Sequence, residues 1–228
     1  MLSKDNAHYL GNVLRATTGQ EIETFDGDGG IDRWKIAEIT PSGIRLAHLD
    51  HSQLARKSPV QLILGLNPLK GGNEEMAIRM AAAMEVHEIV PVFFRRSDVP
   101  IDFDRLERRL ERWKRFCVAE VILSGGAYLP KISRPTTPAM FLDGRLDGIL
   151  VDEAADPREE QPCFTPGSTV VALIGPEGGL EREEVSQARE SGLKIASFGP
   201  WILRAELAGA LAPAWVYSRV RAADGPLC

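Results

Sequence analysis

Two short stretches carry the residue types best suited to holding a ligand. Gly175-Pro176-Glu177-Gly178-Gly179 follows at once on Val170 to Ile174, an apolar, β-branched run that reads as a buried strand. Gly199-Pro200-Trp201-Ile202-Leu203 follows on a second short strand expected over Lys194 to Phe198. A helix is expected between them, with Glu181, Glu183 and Glu184 in its first turn and Gly192 just past its last. Two strand ends about one βα unit apart therefore carry Gly/Pro loops, and in open α/β sheets ligands sit off the carboxyl ends of strands. Gly175, Gly178 and Gly179 have no Cβ, so the backbone there can turn sharply and present its polar groups closely to a ligand. Pro176 fixes one φ and removes one donor. Phosphate chemistry is poorly served. The loop lacks the Gly-Lys-Ser/Thr pattern, Glu177 stands where a phosphate would sit, and the chain has no GxGxxG. Glu177 reads as an acceptor that organises its own loop.

Taken together, I-G-P-E-G-G at 174–179 and F-G-P-W-I-L-R-A-E-L-A at 198–208 closely resemble the signature of the RsmE family of 16S ribosomal RNA uridine-N3 methyltransferases, within the SPOUT superfamily. His8, Val13, Leu14 and Arg15 match the family's H-x4-V-L-R opening. The resemblance implies an α/β SPOUT domain whose parallel sheet ends in a C-terminal trefoil knot, preceded by a small PUA-like β-barrel that binds RNA. It implies S-adenosylmethionine (SAM) as cofactor, cradled by Leu173, Ile174, Gly175, Pro176, Glu177, Gly178 and Gly179 from one loop. Phe198, Gly199, Trp201, Ile202 and Leu203 cradle it from the other. It implies a homodimer with active sites at the subunit interface, packed through the Leu203/Leu207 helix, and ribosomal RNA or the small ribosomal subunit as partner.

The N3–H of uridine is a weak imide acid, so methyl transfer needs the anion. A guanidinium stabilises negative charge spread over the neighbouring carbonyl oxygens. Arg204 matches the family's ILR arginine and is the catalytic candidate, with Glu206 to orient it or accept a proton. Arg15, Arg33, Lys70, Arg95 and Arg96 are the candidates for RNA contact. The chain departs from the family at Arg204-Ala205-Glu206-Leu207-Ala208, where R-T-E-T-A is usual. It departs again at Met80 and Ala83, where lysine and glutamate are usual, and at Ile122 to Gly126, where E-Q-x-G-R is usual. The loops expected to hold cofactor are kept better than the surface expected to meet substrate. Two alternatives follow, a methyltransferase acting on another RNA nucleotide and a non-catalytic RNA- or ribosome-binding protein on the same fold.

The elements that must position these residues are legible at coarse grain. A chain of 228 residues buries a sizeable core, and 44% hydrophobic with 26% charged residues is ordinary for a soluble globular protein. The net charge of −5 excludes bulk affinity for nucleic acid, so RNA binding needs a local basic patch. Residues 1–57 carry slightly more acid than base and supply no such patch by count. No signal peptide or membrane-spanning run is apparent, and cytoplasmic residence is expected. Cys117, Cys163 and Cys228 are odd in number and widely spaced, with no CxxC, which points to neither a zinc site nor a disulfide framework. No metal is expected.

In chain order, Asn6 to Thr18 reads as a short helix. Small antiparallel strands follow from Glu21 to Asp50, with turns at Asp26 to Gly30 and Pro41-Ser42-Gly43. The hydrophobic period changes near Ser58, which sets a first domain at 1–57 and a second at 58–228. The second domain reads as a strand over Val60 to Leu66 and a helix with Asn73 as its N-cap and a buried stripe of Met76, Met80, Ala83 and Met84. A strand over Glu88 to Phe94 comes next. A long amphipathic helix over Asp104 to Ser124 buries Leu106, Leu110, Trp113, Cys117 and Val121 and turns Arg105, Arg108, Arg109, Arg112, Lys114 and Arg115 outward. Strands over Ala139 to Leu142 and Gly148 to Asp152 precede an acidic loop, Glu153 to Gln161. A last helix begins near Ile202, uses Leu203, Leu207 and Leu211 as its stripe, and ends or kinks at Pro213. Ala222 to Cys228 reads as a frayed tail. Alternating strands and helices from 60 onward require a parallel sheet.

Overall fold

The computed structural model describes residues 10, 15–40, 43–99, 102–144, 146–156 and 161–221. The chain divides into two compact units, Met1–Arg56 and Lys57–Cys228. The first unit holds three antiparallel strands, β1 (Glu21–Phe25), β2 (Gly30–Thr40) and β3 (Gly43–Gln53), in the order β1-β2-β3. Its turn is built by Asp26, whose Oδ1 accepts from the amides of Asp28 at 2.7 Å and Gly30 at 3.0 Å. Ile36 and Ile44 are buried together with Leu10 and Ala16. The helix expected over Asn6 to Thr18 lies largely outside the described residues. Those described from Arg15 onward are not helical, and Arg15 takes a positive φ of 50°.

The second unit is a six-stranded, wholly parallel sheet. Its strands are β4 (Gln61–Leu66), β5 (Glu88–Pro91), β6 (Lys131–Ile132), β7 (Gly148–Val151), β8 (Thr169–Ile174) and β9 (Lys194–Ala196), in the order β6-β5-β4-β8-β7-β9. The β-branched and leucine-rich runs of β4 and β8 suit strands covered on both faces. The chain moves outward through β5 and β6, returns to β7, and only then lays β8 between β4 and β7. The helices are α1 (Glu75–Ala83), α2 (Phe103–Ser124), α3 (Pro138–Phe141), α4 (Arg182–Glu190) and α5 (Ala205–Ser218).

Helix α2 buries Leu106, Trp113, Cys117 and Val121 of the expected stripe, while Leu110 is only half-buried. The Asp102 side chain accepts from the Arg105 amide at its start, and Gly125 ends it in the left-handed conformation. Its arginines are partly committed. Glu74, 2% exposed, accepts from Trp113 Nε1 at 3.0 Å and lies 3.6 Å from Arg109 Nη1, while Arg112 pairs with Glu75.

Several sequence expectations are corrected here. Residues Pro138–Phe141 form a helical turn, not a strand, because Pro138 opens it and the Thr137 hydroxyl caps the Met140 amide. Helix α1 starts at Glu75 behind Glu74, and Asn73 instead caps the end of a preceding 3-10 turn, Lys70–Gly72. Its buried face is Ala77, Ile78, Ala81 and Ala82, whereas Met76 and Met80 are exposed. Helix α5 likewise buries Ala205, Ala208, Gly209, Ala212 and Val216, leaves Leu211 exposed, and runs through Pro213 to Ser218. The reason is shared. Helices α1 and α5 approach so closely that a Cβ on Gly209 would lie 2.9 Å from the Ala77 Cβ, so small residues form the seam. Cys163 is disulfide-bonded, which the spacing of the cysteines did not suggest. Cys117 is free, and burial pushes its thiol pKa up to about 12. The tail from Ala222 to Cys228, and part of the acidic loop at 157–160, lie outside the described residues. Among the described residues no helix is long and apolar enough to cross a membrane.

Candidate active site

The carboxyl ends of the central strands lie level. Val151 pairs with Ile174 on one side and Ala196 on the other, and Leu66 pairs with Ile174. Three loops leave this edge, after β7, β8 and β9, and they close around a cavity of about 290 Å³. Its floor is apolar, with Ile174, Pro176, Leu180 and Ala208. Its lining also holds Asp152 and Glu153 from the β7 loop, Glu177 from the β8 loop and Arg204 ahead of α5, beside the exposed Trp201 and Ile202.

Most of the residues expected to hold cofactor converge here. Ile174, Gly175, Pro176, Glu177 and Gly179 line the cavity from one loop, and Phe198, Trp201, Ile202 and Leu203 line it from the other. Three do not. Leu173 is fully buried within β8, between Gly65 and Leu150. A Cβ on Gly178 would stand 2.8 Å from the Arg96 carbonyl oxygen, so this glycine answers to a neighbouring backbone. Gly199 lines an adjoining cavity, with a φ of 122° and the Trp201 ring where its own Cβ would be. The β8 loop is closed by the Gly179 amide donating to the Pro176 carbonyl at 3.0 Å, with Gly179 at a φ of 75°. Strand geometry and one turn bond thus place a row of backbone groups against the cavity.

Helix α5 begins at Ala205, not near Ile202. The Arg204 carbonyl accepts from the amides of Leu207 at 2.9 Å and Ala208 at 3.0 Å, which fixes the first turn. Arg204 Nη1 lies 3.2 Å from Glu206 Oε1, and the two side chains are 76% and 10% exposed. The buried carboxylate therefore holds one end of a guanidinium whose body reaches solvent at the cavity mouth. A guanidinium carries five donors in a fixed plane, so the single contact leaves most of them to meet an oxyanion.

Asp152 and Glu153 are the residues sequence reasoning missed. The rule that pointed to the ends of β8 and β9 applies equally to β7. A second omission is Asn67, fully buried, whose side chain accepts from the Phe94 amide at 3.2 Å and donates to Pro68 O at 2.8 Å and Ser97 Oγ at 3.2 Å. Its own amide donates to Ile174 O at 3.2 Å, so one residue ties together the segments that follow β4, β5 and β8.

The basic residues expected to meet RNA are placed differently. In the second unit, Lys70 Nζ lies 2.9 Å from Asp98, whose hydrogen bond raises the lysine pKa. Arg95 and Arg96 each reach Glu181 at 3.4 Å. In the first unit, Arg33 donates from Nε to Asp50 at 2.9 Å, which holds the Asp50 carboxyl below its usual range. Arg15 is exposed. Asp32 on the same sheet is held below its usual range by His48, with His51 as the second donor. Among the described residues no group of His, Cys, Asp and Glu is placed to hold a metal.

A parallel α/β sheet with a ligand cavity at its carboxyl edge and an arginine at the cavity mouth suits a transferase of small groups. The family model of the RNA methyltransferase domain matches residues 56–217, and that of the RNA methyltransferase PUA domain matches residues 2–46. The chain belongs to the RNA methyltransferase family. It is 22% identical to the ribosomal RNA small subunit methyltransferase E of Bacillus subtilis, over 91% of this chain and 85% of that one. It is 27% identical to the enzyme of the same name from Synechocystis, over 94% and 71%. In structure it is similar to a methyltransferase of Legionella pneumophila solved with SAM, with a TM-score of 0.86 at 24% identity, covering 96% of this chain and 91% of that one. It is also similar to the ribosomal RNA small subunit methyltransferase E of Neisseria gonorrhoeae solved with SAM, with a TM-score of 0.84 at 24% identity, covering 95% and 90%.

Proposed function

We propose that this protein methylates N3 of a uridine in small-subunit ribosomal RNA, with SAM as the donor. The observation that carries the reading is the cavity at the ends of β7, β8 and β9 with Arg204, held by Glu206, at its mouth. The cavity suits the cofactor. Its backbone loops offer donors and acceptors to an adenine edge, its floor is apolar, and Asp152, Glu153 and Glu177 favour a ligand bearing cationic centres. Bound SAM supplies an electrophilic methyl on a sulfonium. Ile174 to Glu177 and Gly179 from one loop, with Phe198 and Trp201 to Leu203 from the other, would hold it and exclude water from its apolar side.

The residues of this chain do the rest. Arg204 donates to a carbonyl oxygen flanking N3 and stabilises the charge of the uridine anion. Glu206 holds the guanidinium in place or accepts the N3 proton, and bound SAM would supply the methyl for the new C–N bond.

The reading extends to the finer architecture expected from the family: a trefoil knot formed where the β9 loop and α5 return across β4 and β8, a PUA-like barrel over 1–57, and the SPOUT domain over 58–228. It extends to cytoplasmic residence and a homodimer, for which the exposed Met76, Met80 and Leu211 on the adjoining helices α1 and α5 offer apolar surface. Arg33, Lys70, Arg95 and Arg96 serve RNA by exchanging their acidic partners for phosphate, and Arg15 serves it from an exposed position. A second reading, methylation of another RNA nucleotide, is favoured by the exposed Met80 and Ile122 where the family usually has charged or polar groups. One experiment separates them. Small subunits from a strain lacking the gene are incubated with the protein and SAM, and their nucleosides are resolved by mass spectrometry. N3-methyluridine is expected; another methylated nucleoside selects the second reading, and none, at saturating SAM, rejects both.

A further inference from the structure

Beside the candidate cofactor cavity lies a second one, of about 550 Å³, and the two share Glu153, Ser197, Phe198, Trp201 and Ile202. Trp201 stands on the rim of both and is 70% exposed. That is an unusual state for an indole, whose apolar rings favour burial. It is also a supported one. Gly199 sits against the ring, and a Cβ there would lie 2.8 Å from Trp201 Cζ3, so the backbone backs one side of the indole while the rest faces outward. In the lining of the same cavity, Arg219 stacks on Trp215 with its guanidinium carbon 5.0 Å from the ring centre, and Trp215 rests on Phe198 at 5.5 Å. The Arg219 main chain is fixed on both sides, its carbonyl accepting from the Phe164 amide at 2.8 Å and its amide donating to Val216 O at 3.0 Å. An exposed aromatic ring and a braced, flat cation therefore line the same cavity.

We propose that this cavity seats an unpaired nucleobase of the RNA strand next to the acceptor uridine, stacked on Trp201, with its phosphate drawn to Arg219. The inference rests on the reading of the first cavity as the SAM site. Single-stranded RNA is recognised by stacking unpaired bases on aromatic side chains and on guanidinium planes. The shared rim sets such a base beside the site of methyl transfer. None of the basic residues singled out from the sequence lines this cavity.

The test measures fluorescence anisotropy of a short fluorescein-labelled single-stranded RNA containing uridine, at saturating S-adenosylhomocysteine. Binding of the homocysteine cofactor product is followed separately by calorimetry, and particle mass by light scattering. Trp201→Leu is expected to weaken RNA binding by about tenfold or more, clearly beyond any loss of product affinity, while Trp201→Phe keeps most of it. Arg219→Gln is expected to lower the slope of log affinity against log salt by about one, with product affinity unchanged. The proposal is overturned if the parent does not bind the RNA or if neither variant changes RNA binding. It is equally overturned if product affinity falls as far as RNA affinity, or if Trp201→Leu reduces the particle mass, which would make the ring a subunit contact. A parent that fails to bind SAM or its product sinks the cofactor reading itself, a result the calorimetry reports independently of RNA.

Discussion

The loops that follow β5 and β8 leave the same edge of the sheet and touch each other at Gly178 and Arg96, yet they are built to opposite ends. After β5, polar groups are satisfied within the protein. The Phe93 amide donates to Thr136 O, the Phe94 amide to Asn67, the Arg95 amide to Glu184 at 2.9 Å, and both guanidinium groups reach Glu181. After β8, a single turn bond closes the loop and its wall faces a cavity. The first loop is braced by its own hydrogen bonds, and the second is the one proposed to receive the cofactor. On that reading side-chain charge alone does not mark a binding surface, since Arg95 and Arg96 belong to the braced loop while the proposed receptor loop is mostly glycine and proline.

The largest effect should come from the receptor side. Arg204→Ala should lower the methylation rate by about 10²–10³-fold, with SAM affinity by calorimetry falling far less. An equal fall in both would make Arg204 a cofactor-binding residue. Where the two loops touch, Gly178→Val should cost about 1–3 kcal/mol, because its side chain meets the Arg96 backbone, and the urea midpoint should fall accordingly. A variant of unchanged stability that loses cofactor binding would instead put Gly178 in the receptor. Within the brace, Glu184→Ala removes the acceptor for the Arg95 and Glu181 amides and should cost about 1–2 kcal/mol. Arg96→Ala breaks one solvent-exposed ion pair and should cost no more than about 1 kcal/mol; a large loss of RNA binding with stability intact would show that arginine serving RNA after all.

The same contrast explains what the sequence made legible. β4, β8 and β9, the long amphipathic α2 and the convergence of the two Gly/Pro loops were readable because periodicity and strand-end chemistry are local. The buried faces of α1 and α5 were not, because hydrophobicity favours Met76, Met80 and Leu211 over Ala77, Ala81 and Gly209, and only the close approach of two helices makes small residues the packing surface. The strand expected over Ala139 to Leu142 was wrong because Thr137-Pro138 just before it starts a helical turn. The true partner of Gly178 lies on a different loop, so no local pattern could separate it from Gly179. Asp152 and Glu153 became visible only once β7 was placed beside β8.

The strand order has a consequence for how the protein is made. β4 pairs with β8 along their length, and Gln61 and Thr169 at the start of that ladder are 108 residues apart. A nascent chain therefore completes β4, β5, β6 and β7 before the strand that joins β4 to β7 has been synthesised. Until then β4 and β7 each present an unpaired edge, the feature by which strands find wrong partners. Pairings of such long range are slow to form and leave apolar surface open while they wait. The centre of the sheet is thus sealed late, with only the edge strand β9 still to follow, and the interval before residues 169–174 emerge is the one in which the growing polypeptide has most need of a chaperone.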